Sequence, residues 1–169
     1  MATRARIGIL NEDGTVTASY QHWDGYPGGL GYNLVDYWTD ANKVKEAIAL
    51  GNASKWGFII GTKVDFDDRN DPLHEVQNVY YMRDRGEKDQ GPTTYADEAE
   101  YLAEGFNSGE EYIYLLKNTG KKDYLGKTVG EWFYSDYGKP FKELEEVAIK
   151  DHIDMLKRHL EMMKERKVA

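Results

Sequence analysis

The chain has 169 residues, 40% of them apolar and 13% aromatic, which suits one domain with one core. It carries 30 acidic against 22 basic side chains, and the net charge of −8 disfavours binding to a phosphate backbone. Cysteine is absent, which excludes disulfides, thiolate metal sites and cysteine nucleophiles, and no apolar run is long enough to cross a bilayer.

Residues 1–6 hold arginines with no apolar segment behind them, so they do not read as a signal peptide. Residues 6–10 and 15–21 read as two strands, joined by Asn11-Glu12-Asp13-Gly14 with its Asp-Gly turn signal. In the second strand Val16, Ala18 and Tyr20 alternate with Thr15, Thr17, Ser19 and Gln21, the pattern of a half-buried strand. Residues 22–31, HWDGYPGGLG, follow, and their glycines and proline predict a loop without regular structure. Residues 32–38 read as a short helix. Residues 41–50 read as a second helix, capped by Asp40 and stopped by Gly51. The apolar run 56–60 is a strand or a buried turn.

Residues 65–72, DFDDRNDP, form a loop by composition. Residues 76–83 read as a strand, 84–94 as polar turns and 95–103 as an acidic amphipathic helix. Residues 111–117 and 128–134 look like paired strands joined by a lysine-containing loop. Pro140 is placed to open a long helix over 141–167. Phe141, Leu144 and Ala148 begin its apolar face. Ile149, Ile153, Leu156, Leu160 and Met163 continue it at spacings of four and three, a heptad-like seam. That seam packs on the sheet or serves association, with a partner or in a homodimer. Together these elements make an α+β fold: an antiparallel sheet, short helices and a long C-terminal helix. Residues 1–138 form the α+β domain; residues 139–169 are the helix, part of the same domain or an association helix.

His22 and Asp24 pair a titratable imidazole with a carboxylate. His74, His152 and His159 add no spaced ligand to them, so neither a metal site nor a catalytic set is assigned. In the plainer reading the segment is a structured turn: Asp24 bonds backbone amides, Gly25 takes a positive φ, and Trp23 and Tyr26 pack. In the functional reading the same aromatics form a recognition surface, because aromatics dominate binding hot spots. Gly25, Gly28, Gly29 and Gly31 lie between a strand and a helix, the context of a phosphate cradle, but without the spacing of a P-loop or a dinucleotide fingerprint. Arg83 and Arg85 flank Asp84 and would grip a phosphate or carboxylate if they lie beside that loop. Elsewhere they would be a surface ion-pair cluster. The binding candidates are therefore His22, Trp23, Asp24, Tyr26, Arg83 and Arg85, and no cofactor is implied. Asp65, Asp67, Asp68, Asn70 and Asp71 miss the calcium-loop spacing. The acids from Asp97 to Glu111 read as a solvated helix face, with imitation of DNA phosphates as the rival.

Residues 1–4 (MATR), 7–10 (IGIL), 13–16 (DGTV) and 22–26 (HWDGY) together resemble a family of small uncharacterised bacteriophage proteins. Residues 80–87 (YYMRDRGE), 111–116 and 130–133 resemble further recurring pieces, while the helix after Pro140 lies outside the pattern. The resemblance implies a phage accessory protein in the cytoplasm of an infected bacterial host, and supplies no catalytic residues. The expectation is a non-enzymatic protein that binds a host protein and modulates it. The alternative is a nucleotide- or small-molecule-binding protein, a binder or an enzyme, that uses residues 22–31. Neither a membrane nor direct nucleic-acid contact is expected.

Overall fold

A computed structural model of the chain describes residues 2–168. β1 (Ala5–Leu10) and β2 (Val16–Gln21) form the expected hairpin, in register from Ala5 opposite Gln21 to Leu10 opposite Val16. A π-helical turn, Pro27–Gly31, leads into α1 (Tyr32–Tyr37). α2 (Ala41–Ala49) is capped by Asp40, whose carboxylate accepts the Asn42 amide at 2.9 Å. β3 (Ala53–Lys55), α3 (Leu73–Val76), β4 (Val79–Tyr80) and α4 (Tyr81–Arg85) follow. Then come β5 (Thr93–Tyr95), α5 (Glu98–Asn107), β6 (Tyr112–Lys117), β7 (Glu131–Asp136), β8 (Lys142–Glu143) and α6 (Glu145–Val168).

The strands form one sheet in the order β4-β3-β2-β1-β6-β7-β8, with β5 also paired to β2. The class is α+β, as the periodicity indicated. Most pairings are antiparallel; β1 with β6 and β2 with β3 are parallel, the latter pair joined by a helix-bearing crossover. Helices cover both faces. Ile7, Ile9, Tyr114 and Leu116 face α1, α2 and the start of α6, packed with Leu34, Trp38, Ile48, Leu144 and Ala148. Val16, Ala18, Ile113 and Leu115 face α5 through Tyr95 and Tyr101. Gly8 is required there, because a Cβ would stand 2.8 Å from the Tyr101 ring. Double coverage explains why Ser19 and Gln21, on the polar side of the β2 alternation, are also buried.

Three expectations change, and the alternative left for residues 56–60 resolves to the turn. Residues 76–83 contribute just two strand residues, and residues 81–85 wind into a helical turn instead. Buried Asp84 causes this: its carboxylate accepts the Val64 amide at 3.1 Å and the Tyr80 amide at 2.7 Å. Residues 56–60 are a turn, pinned where the Trp38 indole donates to Gly57 O at 2.9 Å. The long helix starts at Glu145 rather than after Pro140, because residues 142–143 pair with β7 and Leu144 N reaches Trp132 O at 3.1 Å. Residues 27–31 are regular structure, stabilised from outside the loop as described below. Several acids between Asp97 and Glu111 have internal partners: Asp97 caps α5, Glu98 pairs with Lys117 at 2.6 Å, and Glu110 is buried against Arg6. No helix among the described residues is long and apolar enough to cross a membrane.

Candidate functional site

The segment after β2 is held from three sides. His22 N and Trp23 N continue the strand pairing, on Ala53 O at 3.2 Å and Ser54 O at 3.0 Å. The chain then turns at Asp24, whose φ of +57° is left-handed; Asp24, not Gly25, takes the positive φ. Gly25 is needed for close approach instead: a Cβ would stand 2.7 Å from Ala5 Cβ and from Thr3 O. Tyr114 donates its hydroxyl to Gly25 O at 2.6 Å. In the π-helical turn Gly31 N reaches back to Tyr26 O, while α6 takes both backbone polar atoms of Gly28: Asp151 accepts its amide and His152 Nδ1 lies 3.0 Å from its carbonyl. The His152 ring stacks on Tyr32 at 3.7 Å.

Trp23, 40% exposed, stands between two depressions. The smaller, about 220 Å3, lies against the 55–58 turn and is lined by Trp23, Asp24, Tyr26, Lys55, Glu75 and Met155 among others. Burial lowers the Lys55 pKa, and Glu75 and Asp24 oppose that shift. Burial, then Asp24 and Asp151, push the Tyr26 phenol up. The larger depression is an open groove of about 470 Å3 walled by Tyr20, His22, Trp23, Phe66, Arg69, Tyr81 and Arg85, with Glu87 and Gln90 at its edge. His22 meets the Trp23 edge at 4.8 Å. Tyr20 Oη lies 2.7 Å from His22 Nδ1. Burial pushes the Tyr20 phenol up to about 12, so it is protonated at neutral pH. The Arg85 guanidinium lies over Phe66 at 4.4 Å and Tyr81 at 4.9 Å, and Arg69 lies over Phe66 at 5.0 Å. Such stacking is worth about 0.5–1 kcal/mol at exposed sites and leaves the guanidinium edges to other partners, Glu87 taking Nε and Nη2 of Arg85. Arg85 pairs with Glu87; Arg69 is exposed and makes no salt bridge among the described residues.

The structure thus brings His22, Trp23 and Arg85 into one groove, and Trp23, Asp24 and Tyr26 into its neighbour. It sends Arg83 elsewhere, which corrects the pairing of the two arginines. Arg83 turns inward to Asp84 at 2.9 Å, Ile60 O at 2.9 Å and Asn78 O at 2.8 Å, and holds the fold. Residues 81–85 are helical, so side chains two apart point to different sides. The phosphate-cradle reading fails on its donors. The amides of Gly25, Gly28, Gly29, Leu30 and Gly31 all bond protein oxygens.

Tyr20, Phe66, Arg69 and Tyr81 escaped the sequence reading. Phe66 is buried inside the acidic 65–72 loop, and an aromatic residue in such a loop was the available signal. The loop's carboxylates bond its own amides, Asp65 to Asp67 N and Asp71 to Leu73 N. No cluster of three His, Asp or Glu side chains able to hold a metal exists among the described residues. A further cavity of about 540 Å3 opens where the parallel strands β1 and β6 end, with Lys45, Lys117 and Lys127 opposed by Glu12, Asp40 and Asp123. It contains none of the sequence candidates, and its balanced charges select no ligand class. No protein-family model, curated protein or solved structure matches the chain.

Proposed function

We propose that the protein is a non-enzymatic binder, a phage accessory protein of the kind its N-terminal segment resembles. In this reading it engages an acidic segment of a host protein and modulates that protein in the bacterial cytoplasm. The observation that carries the reading is the groove: two stacked arginines and the exposed Trp23 on an otherwise acidic surface. Aromatic and arginine side chains are the usual anchors of an interface, and two guanidinium groups select carboxylate or phosphate.

The test is affinity capture from host lysate by wild type, Trp23→Ala and Arg85→Ala. The expected result is one retained protein, lost from both variants at unchanged melting temperature and weakened by salt. Equal capture by all three overturns the reading. A nucleotide with its phosphate on Arg69 and Arg85 and its base on Trp23 is the second reading, favoured by the same stacked cations. It predicts a thermal shift with nucleotide, about 2.7 kcal/mol at one hundred times Kd, that the Trp23→Ala variant loses.

A further inference from the structure

We infer that the exposed stripe of α6 docks an amphipathic helix of another protein, one whose apolar seam is flanked by Asp and Glu. This is independent of the groove. One face of α6 is already occupied: Ala148 is buried, and Asp151 and His152 bond Gly28. Ile149, Ile153, Leu156, Leu160 and Met163 lie on another face, 40%, 45%, 55%, 51% and 43% exposed. Spacings of four and three set these side chains in one row, about 21 Å long at 1.5 Å per residue. From Leu156 to Lys167 every residue is exposed, so this end stands clear of the body. An unsupported helical end of this length is marginal in water. Aligned, solvated apolar side chains mark a contact surface rather than scatter.

Charge says what covers it. In heptad terms Ile153 and Leu160 are a positions, and Ile149, Leu156 and Met163 are d positions. The e positions are Lys150, Lys157 and Lys164; the g positions are His152, His159 and Arg166. From Ile149 onward no acid flanks the seam, while Asp154, Glu161 and Glu165 lie on the opposite side. α6 carries six acidic and six basic side chains, so it contributes no net charge and the −8 belongs to the body. A second copy would bring no acid to these flanks: an antiparallel pair sets lysine against lysine at the e positions, and a parallel pair sets the e lysines against the g histidines. The flanks therefore work against self-pairing and favour a partner with acids at those positions.

The test uses the full-length protein, sedimentation equilibrium, and two synthetic helices with the same Ile/Leu seam, one with Glu and one with Lys at every e and g position. The protein alone should sediment as a monomer. The Glu helix should bind roughly tenfold tighter than the Lys helix and weaken as salt rises. Reversing Lys150, Lys157 and Lys164 to Glu should invert that order. Ile153→Asp with Leu160→Asp should abolish binding of either helix at unchanged melting temperature, because both side chains are solvated in the free protein. A dimer without peptide, equal binding of the two helices, no binding of the Glu helix, or binding of phosphatidylglycerol vesicles in its place overturns the proposal.

Discussion

The carboxylate of Asp151 accepts the amide of Gly28 at 2.7 Å, across 123 positions of the chain. With His152 on the Gly28 carbonyl, α6 satisfies both backbone polar atoms of a residue that the π-helical turn leaves open. Asp151→Ala strands that buried amide and should cost about 1–3 kcal/mol in urea unfolding. Asp151→Asn keeps an acceptor and should lose about half as much. Unchanged stability in the alanine variant would mean that the 22–31 segment holds its shape without α6.

The tyrosines set an alkaline limit. Burial pushes Tyr20 up to about 12, and Tyr101 and Tyr114 well above the ordinary 10.0. The folded state therefore holds these protons more tightly than the unfolded chain does. The stability this brings is complete below pH 10 and is lost as pH rises through 10 towards 12 and beyond. Tyr101 donates to Tyr114 O at 2.7 Å and Tyr114 to Gly25 O at 2.6 Å, so neither ionises without breaking a buried bond. In an alkaline titration their tyrosinate absorbance should rise together with the loss of far-ultraviolet circular dichroism. Full ionisation near pH 10 with the fold intact would contradict this.

The elements legible in the sequence are those specified by neighbours in the chain. Asp13-Gly14 turns the hairpin, Asp40 caps α2, and β6 and β7 pair as adjacent strands. The missed elements depend on a carboxylate whose partner is remote. Asp84 winds residues 81–85 by reaching Val64 N, and Asp151 supports Pro27–Gly31 from the far end of the chain. The site divides in the same way. His22 and Trp23 sit in a conspicuous motif, whereas Phe66 and Arg69 join them through a fold contact that no local spacing encodes.

The far half of α6 should be dispensable for folding. Residues 156–167 are exposed, and the salt bridge of Lys164 is with Glu161 in the same helix. Deleting residues 157–169 should shift stability by about 0.5 kcal/mol or less, with helical signal lost in proportion to its length. Deleting from Ala148 onward removes that core side chain together with Asp151 and His152, and should unfold the protein at moderate temperature. Thermal unfolding of both truncations checks the pair.

Arg83 and Arg85 are two residues apart and should respond oppositely to alanine. The Arg83 side chain is 16% exposed and its Asp84 partner 0%. Removing it leaves a buried carboxylate with fewer donors and frees the Ile60 and Asn78 carbonyls, a loss of about 3 kcal/mol. Arg85 is 43% exposed, and its pair with Glu87 is a surface contact worth little, so Arg85→Ala should change stability by about 0.5 kcal/mol or less. Binding should divide the other way. Arg85→Ala removes the cation stacked on Phe66 and Tyr81 and should abolish capture, whereas Arg83→Lys, which keeps a cation on Asp84, should leave capture intact. Urea midpoints and capture measured on the same samples separate the two roles. Equal stability losses at both positions would mean that Arg85 supports the fold rather than the groove.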